Sequence, residues 1–339
     1  ENAISLAASN GFETFVIELS NLKEQSKKGI ELLTALLKSP NYTQDTLNKL
    51  KTMQTGSLKR KENDFDYVAN NQLKSVLFKG TTLENSAAGT IESISKIELK
   101  DIENFISQTV CLENLIIVAG GDFELKEFEK LVKPLLETLN VGKKAQLEEV
   151  NFISKKEEKV LIKDTQQAYI YFGSSFNINS KDEENYKAKV ASFILGGSGF
   201  GSRLMEEIRV KRGLAYSAYG SISINKSHSY FNGYLQTKNE TADEAKKLVG
   251  EIIEDFVKNG VTNDELRAAK NFLTGSEPLR SETLSQRLNR AFTLYYRGLE
   301  PNYSQKELEK IQNLELTDLN NYIKSHNEIN NLTFSIVRK

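Results

Sequence analysis

Cysteine occurs once, at Cys111, so no disulfide can form within the chain. Without such staples, 339 residues must be held together by a buried core. The lack of disulfides leaves both a bacterial periplasm and a cytoplasm open as compartments. Cys111 falls between a helical and a strand-like stretch, where a small buried hydrophobe is the expected role. Tryptophan is absent and there are only four prolines, which suits a helix-rich chain. Histidine occurs twice, at His228 and His326, with no carboxylate or cysteine cluster beside either at ligand spacing. A zinc site needs three or four ligands, so these residues predict no metal site. Charge of one sign is not in excess: 45 Lys and Arg face 46 Asp and Glu. No basic block of the kind that binds nucleic acid or an anionic membrane is present. No apolar run approaches the roughly 20 residues of a bilayer-spanning helix. A G-x-S-x-G elbow and a cysteine nucleophile motif are also missing.

What is present is a long internal repeat. Residues 91–115 (IESISKIELKDIENFISQTVCLENL) align with 308–332 (LEKIQNLELTDLNNYIKSHNEINNL) at an offset of 217, with nine identities in 25. Residues 43–57 (TQDTLNKLKTMQTGS) align with 262–276 (TNDELRAAKNFLTGS) at an offset of 219, with seven identities in 15. A period this long marks a duplicated domain and not a solenoid, whose units run about 20–50 residues. The expected organisation is a first domain at 1–140, a linker at 141–157 and a second domain at 158–339. By the repeat, the first domain lacks about 60 N-terminal residues relative to the second.

Alternation of apolar residues predicts strands at 4–8 and 13–19, and helical spacing predicts helices at 27–38, from 43, 65–78 and 99–110. A buried strand at 115–119 and a helix at 124–139 complete the first half. The second half predicts strands at 159–163, 168–172, 214–224, 230–236 and 332–337. Its helices are expected at 183–195, 203–211, 243–258, 263–275, 281–296 and 316–325. Paired strands beside long helical blocks imply an α+β fold: an antiparallel or mixed β-sheet covered by helices, built twice.

The run GGSGFGSR invites a nucleotide-binding reading and fails its test. A dinucleotide fingerprint from Gly197 needs glycine at Ser202, and a phosphate loop from Gly196 needs lysine after Gly201. Two readings stay open for the run: a helix–helix turn, or a loop that lets an extended peptide backbone approach closely because glycine has no Cβ. Downstream, Arg209 and Tyr216 stand seven apart across a helix end that Gly213 is placed to cap. Their chemistry suits a carbonyl or its oxyanion, although a surface arginine and a strand-packing tyrosine give the same pattern.

The stretch LGGSGFGSRLMEEIRVKRGLAYSAYG, with the duplication, AGGDF and KSPNYT, resembles the second-domain signature of the pitrilysin and mitochondrial-processing-peptidase family of inverted-zinc-motif peptidases. The resemblance covers essentially the whole chain. It implies two homologous domains closing like a clamshell on an extended peptide, with H-x-x-E-H and a distal glutamate in the first. The second then contributes Arg209 and Tyr216, with Gly196, Gly197, Ser198, Gly199, Phe200, Gly201 and Ser202 contacting substrate. The sequence departs from that pattern. H-x-x-E-H is absent but would fall in the missing N-terminal stretch, so that absence alone decides nothing. More telling, Ser57 stands where the distal glutamate is expected, Leu50 where a second glutamate is, and Glu62 lies too far along. The expectation is therefore a subunit that binds no cofactor itself. Zinc is expected in a homologous partner or in a missing N-terminal segment. The partner forms a heterodimer with this chain, or a second copy forms a homodimer. A truncated self-sufficient zinc metalloendopeptidase and a non-enzymatic peptide-binding or assembly subunit are the alternatives.

Overall fold

The computed structural model describes residues 3–11 and 13–339. Two strands open it, β1 (Ile4–Asn10) and β2 (Phe15–Asn21), followed by helices α1 (Ser26–Lys38), α2 (Gln44–Lys61) and α3 (Phe65–Leu77). Next come α4 (Ile91–Lys96), α5 (Leu99–Thr109) and α6 (Leu125–Leu136), then β3 (Glu157–Ile162) and β4 (Gln167–Ser175). Helix α7 (Asn185–Ser192) and the short α8 (Arg203–Met205) lead into β5 (Ala215–Ile224) and β6 (Ser229–Lys238). The chain ends with α9 (Ala242–Asn259), α10 (Asn263–Gly275), α11 (Leu284–Arg297), α12 (Tyr303–Gln312), α13 (Leu316–Ser325) and β7 (Thr333–Arg338). This is an α+β chain, as the pattern of periods requires.

Its contacts divide it into two compact units that interleave along the sequence. The first comprises Glu1–Ser57, Thr90–Glu148 and Ser281–Thr293; the second comprises Leu58–Gly89, Glu149–Arg280 and Leu294–Lys339. In the first unit β1 and β2 pair antiparallel, from Ile4↔Asn21 to Asn10↔Phe15. Its small core joins α1 and α6 through Ile30, Leu33, Val132 and Leu135, with Ile17 and Leu19 of β2 packed alongside.

The second unit is built on a five-stranded sheet of order β3-β7-β4-β6-β5, antiparallel except for the β3–β7 pair. Side chains alternate across it, as the period of two demands. Ala168, Ile170, Phe172, Phe231, Leu235 and Ile336 join a core with α7, α9, α10 and α13. The opposite face carries Tyr169, Tyr171, Tyr234, Gln236 and Ser335, and α3 docks there. Ser335 donates to Gln72 Oε1 at 2.9 Å, and Asp66 accepts from Tyr171 at 3.2 Å and from Gln236 at 2.6 Å.

The two repeated windows fold into matching elements. Thr43 accepts a hydrogen bond from the Thr46 amide at the start of α2, and Thr262 caps α10 through a reciprocal box with Glu265. The pair α4 and α5 likewise has α12 and α13 as its counterpart, α5 and α13 starting 217 residues apart at Leu99 and Leu316.

One predicted element is corrected. Residues 115–119 form no strand among the described residues; the counterpart in the second unit, β7, sits between β3 and β4. A strand exists only through a ladder partner, which apolar alternation alone does not guarantee. The irregular stretch 140–156 is nonetheless tied down. The Leu112 and Glu113 amides bond to Asn140 and Val141, and the Val150 amide bonds to Ser227.

Candidate functional site

The glycine-rich run lies in the second unit between two single turns of π-helix, at Phe193–Gly197 and Glu206–Val210. Such turns insert an extra residue into a helix and often accompany functional sites. The first continues α7 and is buried through Ile194, Leu195 and Gly196. The second carries Arg209, and its Lys211 amide bonds to Glu206 five residues back. Gly213 then ends the helix at φ 63°, its amide bonding to the Arg209 carbonyl, which fits the expected glycine cap.

The residues of the run divide by surroundings. Gly196 is buried against the backbone of Gly220 on β5. Ser202 is fully buried; its hydroxyl donates to the Gly199 carbonyl at 2.8 Å and accepts from the Met205 amide at 3.4 Å. Gly197, Phe200 and Gly201 are exposed, while Ser198 and Gly199 are half-buried. Gly199 and Gly201 adopt φ of 66° and 93°, where a side chain is strained. Arg203 anchors the run from below. Its guanidinium meets Glu265 at 2.6 Å, Asp255 at 3.2 Å and the Gly260 carbonyl at 2.7 Å. Burial alone would raise the Glu265 carboxyl, but the hydrogen bonds from Arg203 and Thr262 bring it below its ordinary value.

Tyr216 reaches the same place through an irregularity in β5. Ala215 pairs with Thr237 but Ala218 with Leu235, so the edge strand holds one extra residue, a β-bulge. Without it, Tyr216 and Tyr219, three apart, would point to opposite faces. With it, Tyr216 after the buried Ala215 and Tyr219 after the buried Ala218 both leave the core face.

Arg209 and Tyr216 come together as the sequence suggested, and Phe200 joins them. The Arg209 Cζ lies 4.4 Å from the Tyr216 ring centroid and 4.6 Å from that of Phe200. Both rings are open to solvent, at 81% and 69%. Neighbouring charges pair elsewhere: Lys211 and Arg212 each meet Glu207 at 2.6 Å. Those bonds hold the Glu207 carboxyl below its ordinary value against the opposing effect of burial. Among the described residues, the Arg209 side chain has neither an ion pair nor a hydrogen bond. Its planar set of donors is thus unpaired among the described residues.

Beside this cluster runs a row of phenols that sequence reading missed. Tyr219, Tyr234 and Tyr171 are cross-strand neighbours on β5, β6 and β4, with successive ring centroids 5.5 Å apart. Burial raises the Tyr234 and Tyr171 phenols above the ordinary tyrosine value, and the Asp66 charge adds to the shift. Each tyrosine was visible in its strand; the row required the register.

The donors available in the described residues do not fit a zinc site. His228 is buried, with Nδ1 2.9 Å from Ser227 Oγ, and His326 pairs with Glu328 at 2.8 Å while stacked on Phe176. Ser57 and Leu50 lie on α2, and Glu62 follows its end. No group of three or more His, Cys, Asp or Glu side chains is placed to hold a metal ion among the described residues. Nor is any helix there long and apolar enough to cross a membrane.

Residues 96–273 match the family described as the peptidase M16 inactive domain. The chain is 45% identical over 337 residues to a non-peptidase homolog, YmxG, of Helicobacter pylori, covering 99% of this chain and 78% of that protein. It is 22% identical over 269 residues to an uncharacterized zinc protease, YmxG, of Bacillus subtilis, covering 79% and 65% respectively. The crystal structure of a peptidase M16 inactive domain from Pseudomonas fluorescens superposes with a TM-score of 0.90 at 21% identity, over 99% of this chain and 81% of that one.

Proposed function

The chain belongs to the peptidase M16 family, and we propose that it serves there as a non-catalytic subunit that binds extended peptides and lends an arginine–tyrosine pair to a zinc-bearing homologue. The observation that carries this reading is the Arg209 guanidinium, set beside the exposed Phe200 and Tyr216 rings with no carboxylate of its own. The acidic side chain nearest in sequence, Glu207, is taken by Lys211 and Arg212. The planar donors of arginine suit main-chain carbonyl oxygens, and a phenol adds a hydrogen bond to an oxygen that gains negative charge. The exposed glycines at 197 and 201 leave room for a peptide backbone alongside.

The name of the Helicobacter relative, a non-peptidase homolog, favours a chain without its own peptidase centre. The described donors agree, since they offer no zinc site. In this reading the partner holds the metal, and this chain binds and orients the peptide and steadies charge at its carbonyl oxygen.

The test is to isolate the native protein from its source cells and identify its companions by mass spectrometry. A stoichiometric homologue carrying H-x-x-E-H is the expected result, together with peptidase activity that Arg209→Ala abolishes without dissociating the pair. Recovery of this chain alone, with peptidase activity intact in Arg209→Ala, would overturn the proposal.

A further inference from the structure

Resting on that peptide-binding reading, a further question is what keeps the Arg209 guanidinium in place while no ligand holds it. An arginine side chain has much rotamer freedom to lose, so a donor fork that waits in one geometry must be ordered in advance. No hydrogen bond or ion pair does this for Arg209 among the described residues; two rings do. The Phe200 and Tyr216 rings make no contact with each other, so each meets the guanidinium separately. The guanidinium carbon lies over both rings, and none of its donors is taken by a hydrogen bond or ion pair among the described residues, so the planar donors stay free to bond.

Tyr216 is fixed by its strand, whereas Phe200 sits on a loop. Its neighbours Gly199 and Gly201 take conformations that other residues resist, and a Cβ at Gly201 would meet nothing within 4 Å. The run therefore carries a large apolar ring out into water, where burial gives it no reason to be. Among the described residues its one ring contact is Arg209.

We propose that Phe200 is a positioning residue: its ring, with that of Tyr216, holds the guanidinium so that the donor fork faces the carbonyl oxygens of an extended peptide. Phe200 thereby acts through Arg209 and not by touching the peptide itself.

The chain has no tryptophan, so Phe200→Trp places a single fluorophore in the stack. In the isolated protein, Arg209→Ala in that background should increase the quenching of the introduced indole by acrylamide; unchanged quenching would overturn the stack. Binding is then read in the native complex, by anisotropy of fluorescein-labelled casein. Phe200→Leu should weaken binding by about 2- to 5-fold, the range of one exposed cation–π contact. Phe200→Tyr should restore it, which a general loss of loop structure would not predict. In the Arg209→Ala background, Phe200→Leu should add nothing. Fully additive losses would mean that Phe200 contacts the peptide directly, and would sink the positioning role while leaving the peptide site standing. Casein binding unaffected by Arg209→Ala would remove the peptide site and the positioning role together, whatever the quenching showed.

Discussion

Gly196 lies so close to Gly220 that a Cβ on Gly196 would stand 2.7 Å from the Gly220 carbonyl oxygen and 2.8 Å from its Cα. Both atoms belong to backbone and cannot rotate away. Gly220 is itself confined, because a Cβ there would meet Leu204 at 2.8 Å and the Phe231 ring at 3.0 Å. The π-helical turn before the glycine-rich run is thus seated directly on the β5 backbone. Gly196→Ala should push the two apart and cost about 1–3 kcal/mol, the usual range for overpacking a tight core. Thermal unfolding would show a lowered midpoint, and Gly201→Ala, in open space, would test backbone strain without crowding.

Removing the donor fork should act on chemistry and not on folding. Arg209→Ala and Tyr216→Phe are expected to leave circular dichroism and the unfolding midpoint unchanged, since neither side chain is buried. In the native complex, Arg209→Ala should lower peptide turnover by about 100-fold or more, the scale seen when one oxyanion donor is lost. Arg209→Lys should recover little, because an ammonium cannot present a planar fork.

The ion pair beneath the run makes stability depend on acid. The Glu265 carboxyl titrates below its ordinary value in the folded protein, so it contributes stability above the unfolded-state pKa of about 4.3. That contribution is lost as pH falls from there through the lower folded value. Urea midpoints should therefore decline below about pH 4.5, and Glu265→Gln should lower the neutral-pH midpoint while flattening the decline. A variant with the same acid slope as the parent would assign that slope to other carboxylates, such as Glu328, which also titrates low.

The docking of α3 on the sheet turns on Asp66. Tyr171→Phe removes a 3.2 Å bond to the Asp66 carboxylate, leaving it the one from Gln236 among the described residues, and should cost about 1 kcal/mol. Hydrogen exchange should quicken in Phe65–Leu77 more than in Ala242–Asn259. Equal changes in both helices would argue against a local anchoring role.

On the proposed reading, zinc binds a partner and not this chain. Atomic absorption on the purified chain after dialysis should find substoichiometric zinc, and chelator should leave its unfolding midpoint unmoved. One equivalent of tightly held zinc, lost with a fall in midpoint, would contradict this.

Much of the second unit was legible because its patterns are local. The alternation at 214–224 and 230–236 became β5 and β6, and the 3.6-residue stripe at 243–258 became α9, each within two residues. Gly213 as a helix end and Cys111 as a buried thiol were also readable, since each depends on its immediate surroundings. The strand at 115–119 failed for the converse reason: its pattern was right and its partner was not supplied. The segment 58–89 groups with the second unit because of the sheet face it covers, which no property of that segment announces.

Residue identities and periods alone carry the α+β class, the long repeat and the poverty of metal ligands, and they place an arginine and a tyrosine on either side of a glycine cap. Each of these follows from residue identity or from a period of two or 3.6, and so from interactions between near neighbours. Folding was needed for a bulge to turn Tyr216 outward and for Phe200 to reach back to Arg209. Those outcomes depend on strand register and on where a loop comes back against a helix end, and both are set by parts of the chain that touch only after folding.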